Sequence, residues 1–246
     1  DLHLSIRRQR QMCIRDRSID ESLGRVLTAL KRMEIRDDTL IIFTSDGGHL
    51  WGEHGLIDKR CAYEASIRIP FLFHWPAAIE KGSVCSAIVT NIDVAPTLLD
   101  LAGIPIPADI DGSSLRNFLF EPGSVDERPP FIYEYYWDPS FPPTPTTFAI
   151  RNKRFKLIQY HGIWDTDELY DLRSDPQETR NLILEPAYQA PVYELREVLY
   201  QRLLQTRGLS IRLGRKRDHG QNMRSPTNSK RATFPPHMIS MPSDDG

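Results

Sequence analysis

The sequence predicts an α/β domain followed by a smaller α+β unit with a mainly antiparallel sheet. Three observations predict it. A helical stripe of apolar residues (Ile19, Leu23, Val26, Leu27, Leu30, Met33) runs into the unbroken apolar and β-branched segment 39–44. That is the pattern of a helix feeding a strand buried on both faces, as in a parallel sheet. Residues 131–136, 148–151 and 155–160 are aromatic and strand-like, the last two flanking Asn152-Lys153, which predicts a tight hairpin. A final amphipathic stripe of Val192, Leu195, Val198, Leu199 and Leu203 closes the second unit.

The 246 residues, 40% hydrophobic and 26% charged, suffice for one large domain or two modest ones. No apolar run approaches the ~20 residues of a membrane helix, and three Cys do not make a disulfide scaffold. The net charge of -2 argues against a general nucleic-acid binder. That average hides a split. Residues 1–17 carry a net +3 and residues 209–246 a net +4, leaving −9 on the body between them.

Residues 1–17 follow no apolar period and resemble translated adaptor sequence, so they read as a non-native or disordered segment; a basic amphipathic arm is the alternative. Order is expected from Ser18, where Ser18 and Glu21 have capping-box spacing. Asp20 and Glu21 near the start and Lys31 and Arg32 near the end suit the helix dipole. After the strand at 39–44 comes a polar, Gly-rich loop over 45–59, a short helix over 61–67 and a second strand over 69–75, closed by Pro76. Asp93 is expected to cap a helix through Ala102 that Gly103 stops. Residues 104–130 are rich in Pro and Asp and read as a crossing between domains. Residues 168–172 make a further short strand, and the chain beyond Gly208 reads as a disordered basic tail. The expected division is therefore 1–17, an α/β portion over 18–125, a C-terminal subdomain over 126–208, and a tail over 209–246.

The chemistry-bearing residues cluster in one loop. Asp46 lies at the carboxyl end of the first predicted strand, the edge where open α/β sheets place ligands. A carboxylate there suits a hard divalent cation, and Gly47 and Gly48 allow close backbone approach. Lys59 and Arg60 are positioned to neutralise an anion. Taken singly, each has a plainer reading. Asp before Gly-Gly is most often a turn, Lys59-Arg60 a solvated pair, His49 and His54 too loosely spaced for zinc, and Cys61 and Cys85 small buried hydrophobes. No nucleophile elbow, Walker loop or Cys-x-x-Cys is present.

The order of these residues carries more. Thr44-Ser45-Asp46-Gly47-Gly48, then Gly52-Glu53-His54-Gly55, Lys59, and Tyr63-Glu64 with Arg68-Ile69-Pro70 closely resemble the sulfatase family. The likeness continues through residues 93–103 and 111–115, Lys156-Leu157-Ile158, and residues 168–182. It covers about residues 18 to 205, and residues 141–148 and 164–169 are most similar to N-acetylglucosamine-6-sulfatases and related polysaccharide sulfatases.

The resemblance implies the C-terminal part of an alkaline phosphatase-like α/β sheet domain followed by a small α+β subdomain. It implies hydrolysis of sulfate esters, on a sulfated carbohydrate, by a formylglycine nucleophile with bound Ca2+. Asp46 would then be a metal ligand and Lys59 the sulfate contact, with His49, His54 and Arg60 toward the substrate. Two departures stand out. No Cys here is followed by the Pro/Ala and Arg of the formylglycine motif, so the nucleophile is absent from this chain, which is expected to be inactive alone. The family's Asn or His after the metal Asp is Gly47, which offers no side-chain oxygen. The resemblance also implies a periplasmic or secreted protein. Two other readings stay open: a phosphodiesterase or phosphonate hydrolase of the same superfamily, and a non-catalytic sulfatase-like binding module.

Overall fold

In chain order the elements are α1 (Leu2–Arg32), β1 (Ile41–Thr44), β2 (Leu50–Trp51), β3 (Ile57–Asp58), α2 (Glu64–Ile67), β4 (Phe71–His74), α3 (Val94–Leu101), α4 (Arg116–Phe120), β5 (Phe131–Tyr135), β6 (Thr147–Arg151), β7 (Phe155–Tyr160), β8 (Glu168–Asp171) and α5 (Gln189–Thr206). The structure is a computed structural model that describes residues 2–124, 128–138, 141, 143–162, 166–206 and 208–210, with side chains from residue 14 onward. The basic tail expected beyond Gly208 thus falls, from residue 211, outside the described residues.

α1 corrects the expected start of order at Ser18. The helix is continuous through that point, and Ser18 sits inside it, its hydroxyl donating back to the Ile14 carbonyl at 2.8 Å. The physical reason is propensity: residues 2–17 contain no Gly or Pro and are rich in Leu, Arg and Gln, all good helix formers. An Arg17–Glu21 pair at 2.8 Å then spans the junction one turn apart.

β1 is shorter than expected and runs differently. It pairs antiparallel with β4, from Ile41 opposite His74 to Thr44 opposite Phe71, and its residues are half-buried or exposed rather than covered on both faces. An apolar run signals coverage but carries no information about the direction of its neighbour, which is why the parallel expectation failed. Among the described residues no third strand joins this pair.

Asp93 holds the N-cap position of α3 as expected, but its side chain closes a capping box with Thr90 on the turn before it rather than capping α3. It is instead a buried hub that accepts from the Thr90 amide (2.8 Å) and hydroxyl (2.9 Å) and the Ser113 amide (2.9 Å), and pairs with Arg128 at 3.0 Å. The expected stop holds: Gly103 takes φ 69°, and the Ile104 amide bonds the Leu99 carbonyl at 2.9 Å. The crossing segment carries the short helix α4.

The second unit is a four-stranded antiparallel meander, β5-β6-β7-β8, with Ile150 opposite Leu157 and Leu157 opposite Leu169. Its hairpin turns at Asn152, whose side-chain oxygen accepts from the Arg154 (2.8 Å) and Phe155 (2.7 Å) amides, a local bond that makes Asn a turn residue. Period-two alternation assigns each residue a face. Ile150, Leu157 and Leu169 point to α5 and pack on Val192, Leu195, Leu199 and Leu203. Ala149, Ile158 and Tyr170 point the other way, onto Ala62 and Tyr63 of the first unit. Both faces of the meander are therefore covered, and the second face meets the loop that carries Asp46 and Lys59.

Candidate functional site

The site begins at the end of β1. The Gly48 amide bonds the Ser66 carbonyl (2.9 Å) and the His49 amide bonds the Ala65 carbonyl (3.1 Å), so the loop lies flat against α2. A Cβ on Gly48 would sit 2.5 Å from the Ala65 carbonyl oxygen, closer than real side chains approach. Gly48 is required by contact. Gly47 is not: a Cβ there would meet only the Lys59 stem at 3.9 Å. The Ser45 hydroxyl donates to the Gly47 carbonyl at 2.9 Å and fixes the turn.

Asp46 and Lys59 are brought together, carboxylate to ammonium at 3.9 Å, with the Asp46 side chain 89% exposed. Lys59 stands between two non-glycine residues in the left-handed region, Asp58 (φ 100°) and Arg60 (φ 81°). Such conformations cost on the order of 1–3 kcal/mol each and cluster at functional sites. An ion pair between Asp58 and Arg60 bridges the turn, and the Arg60 guanidinium lies over the Phe141 ring at 3.3 Å. Partial burial would raise the Asp58 carboxyl, but the Arg60 hydrogen bond and the Lys59 amide hold it below its ordinary value.

These residues open onto a cleft of about 820 Å³ between the two units. The loop side contributes Asp46, Gly47, Lys59 and Arg60; the meander contributes Phe131, Tyr133, Tyr135 and Arg151, all on one sheet face. His49 and His54 lie elsewhere. His49 leans on Trp51, ring centroids 4.4 Å apart, and His54 stacks flat on Tyr63 at 3.8 Å; neither lines the cleft.

Behind the cleft lies a buried ionic cluster that the sequence motifs do not reveal. Lys156 is fully buried on β7 and meets Glu178 at 2.6 Å, Glu64 at 2.7 Å and the Ala62 carbonyl at 2.8 Å. The Glu64 amide donates to Glu178 at 2.6 Å, and Arg151 pairs with the Glu64 carboxylate at 2.8 Å. Burial pushes the Glu64 carboxyl up, but Lys156 and Arg151 outweigh it and hold it low. Glu178 goes the other way: burial raises it despite Lys156. Beside this cluster, the hydroxyls of Tyr63 (3.0 Å), Tyr160 (2.8 Å) and Tyr170 (2.6 Å) all donate to the Glu168 carboxylate. Burial first, and the Glu168 charge with it, push all three phenols up, so they stay protonated as donors. One signal for Lys156 was available: it shares the Ile158 face in period two, and that face is apolar.

The cleft can hold an anion, since the Lys59 ammonium and the Arg60 and Arg151 guanidinium groups line it beside Tyr133 and Tyr135. A metal site is incomplete: among the described residues no group of three His, Cys, Asp or Glu side chains is placed to hold a metal ion. Asp46 is thus a single exposed carboxylate, and no catalytic step follows through a metal from these residues alone. No helix of the described residues is long and apolar enough to cross a membrane.

The family profile described as N-sulphoglucosamine sulphohydrolase, C-terminal, matches residues 52–206. An N-acetylglucosamine-6-O-sulfatase of Bacteroides thetaiotaomicron is 40% identical over 184 residues, covering 74% of this chain and 33% of its own length. A protein solved in complex with its substrate D-glucosamine-2-N,6-O-disulfate superposes with a TM-score of 0.73 at 38% identity, covering 77% of this chain and 39% of that one. A phosphonate monoester hydrolase of Agrobacterium radiobacter superposes with a TM-score of 0.63 at 29% identity, covering 78% and 39%. The chain spans about a third of the length of the curated relatives it matches.

Proposed function

The chain belongs to the sulfatase family, with the C-terminal part of that family's alkaline phosphatase-like fold, and from that premise we propose that its cleft binds the sulfate group of a sulfated sugar. The observation that supports this best is the convergence of Asp46 and Lys59, 3.9 Å apart, on a cleft walled by Tyr133, Tyr135 and Arg151. The Lys59 ammonium is a compact point charge on a flexible stem, suited to a sulfate oxygen and to the leaving oxygen as its charge grows. Aromatic faces supply apolar area for the sugar ring.

In this proposal Asp46 gives one oxygen to a Ca2+ whose other ligands lie outside residues 1–246, as does the formylglycine nucleophile. Bound Ca2+ would offset charge on the sulfate oxygens. The residues present bind and orient the ester; they do not cleave it, so this chain alone is inactive. An exported location goes with this proposal, since sulfated polysaccharide is an extracellular substrate class.

Calorimetric titration of the 246-residue chain with D-glucosamine-2-N,6-O-disulfate tests the proposal. Binding is expected, with about tenfold weaker affinity in Lys59→Ala, a change worth ~1.4 kcal/mol. Equal affinity in Lys59→Ala would sink the assignment. Release of sulfate from an aryl sulfate by this chain would overturn its inactivity. The likeness to a phosphonate monoester hydrolase supports a second reading, which a phenyl phosphonate monoester tested in the same titration decides by its rank against the sulfated sugar. A non-catalytic binding module is distinguished by joining the chain to a sulfatase N-terminal portion: no sulfate release with either Gly47 or Asn at position 47 would favour it.

A further inference from the structure

We infer that Lys156, on the far side of the meander from α5, is a positioning residue for Lys59, so that the C-terminal unit aims the sulfate-binding ammonium of the first. This rests on the proposed role of Lys59.

The turn that presents Lys59 is bridged by the Asp58–Arg60 ion pair, yet its backbone is strained. Asp58 and Arg60 both occupy the left-handed region without being glycine, and such strain persists only where the surroundings over-determine the backbone. Upstream, the turn is anchored by the two-residue β2–β3 ribbon, with Leu50 opposite Asp58. Downstream it is anchored three residues on, where Ala62, Tyr63 and Glu64 are all gripped by the meander. Lys156 donates to the Ala62 carbonyl at 2.8 Å and pairs with Glu64 at 2.7 Å. Glu178, itself paired with Lys156 at 2.6 Å, accepts the Glu64 amide at 2.6 Å. Tyr63 hands its hydroxyl to Glu168 at 3.0 Å.

Lys156 is the centre of this grip, since it contacts two of the gripped residues and the carboxylate that holds the second of them. It neither lines the cleft nor touches Lys59. The two residues between Lys59 and Ala62, Arg60 and Cys61, leave little slack, so release at Ala62 and Glu64 frees the strained turn to relax, and the ammonium leaves its place beside Asp46. Had the cluster only held the core together, its loss would loosen the meander and leave the turn at 58–60 unaffected in particular.

The test uses the 246-residue chain and Lys156→Met, which keeps the length of the side chain and removes the charge. Hydrogen exchange read by mass spectrometry is expected to speed up about tenfold or more over residues 58–61, with α5 and β5–β6 still protected. In titration with D-glucosamine-2-N,6-O-disulfate, Lys156→Met is expected to lower affinity about tenfold in the presence of Lys59 and to leave it unchanged in a Lys59→Ala background, the non-additivity of residues acting as a unit. Unchanged exchange at 58–61, or equal losses of affinity in both backgrounds, overturns the inference. Should Lys156→Met not fold, Tyr63→Phe removes only the bond to Glu168 and is expected to shift both readouts in the same direction by a smaller factor; no shift there overturns it as well. If the unsubstituted chain does not bind the sugar, the assignment of Lys59 fails, and exchange at 58–61 alone decides whether the grip holds the turn.

Discussion

The ammonium of Lys156 lies 2.7 Å from the carboxylate of Glu64, and the pair joins the strand meander to the segment that follows the cleft loop. Glu64 is held below the ordinary carboxylate range because Lys156 and Arg151 outweigh burial, which acts in the opposite direction. Its unfolded value is about 4.3. As pH falls, the unfolded chain therefore takes up this proton first, and the stabilisation by Glu64, complete above about pH 5, is lost as pH drops through its folded value. Glu178, raised by burial, has the opposite sign and costs stability as pH rises through its folded value. In urea unfolding, the stability difference between the unsubstituted chain and Glu64→Gln should be largest at about pH 6–7 and shrink below about pH 4. A difference constant down to about pH 3.5 would contradict the low carboxyl.

Gly48 and Gly47 are neighbours with opposite constraints. A methyl group at 48 would press on the Ala65 and Ser66 carbonyls, whereas a side chain at 47 meets only the Lys59 stem. Gly48→Ala should cost about 1–3 kcal/mol, the usual range for overpacking. Gly47→Asn should fall within about 0.5 kcal/mol of the unsubstituted chain, as at a surface position. Thermal melts of the two variants check both, and equal melting temperatures would refute the distinction.

Asp93 accepts bonds from Thr90 and Ser113 and pairs with Arg128, fastening the middle and the end of the crossing segment to the start of α3. Asp93→Ala removes the buried carboxylate that the Thr90 and Ser113 amides and Arg128 share and should cost about 1–3 kcal/mol. Limited proteolysis should then cut first within residues 104–124. Cleavage first in the meander would show that the hub is not what fastens this segment.

Lys59 faces an open cleft, so its pull on an anion is exposed to screening. Raising ionic strength from about 0.05 M to 0.5 M, which shortens the screening length severalfold, should weaken binding of D-glucosamine-2-N,6-O-disulfate in the unsubstituted chain more than in Lys59→Ala. Parallel salt dependences would place the sulfate elsewhere.

Local patterns made the meander and α5 readable from the chain. Asn152 marks the hairpin because its side chain bonds the backbone two and three residues on, and the Leu195, Leu199, Leu203 spacing marks the helix face. The cleft loop was readable through its ordered motifs, which place Asp46 and Lys59 together although their own spacing says nothing of contact. Lys156 was not. A lysine within a strand reads as a solvent-facing residue, and only its partners Glu64 and Glu178, distant in sequence, make burial affordable. β1 was misjudged for a related reason: strand direction depends on which segment arrives beside it, and β4 lies across an intervening loop and helix.

The strands of the meander pair in the order in which they are synthesised, β5 with β6, β6 with β7 and β7 with β8. Every one of its closures spans a short stretch of chain, so little loop entropy opposes it, and units of such low contact order fold quickly. The contacts of Lys156 and Glu168 to residues 62–64, by contrast, close loops that run most of the way back along the chain. The kinetic consequence is an assembly sequence in which residues 131–206 condense first and the Tyr63–Glu64 segment docks afterwards. Substitutions in β6 and β7 should then slow refolding, while those at Tyr63 and Glu64 should chiefly speed unfolding.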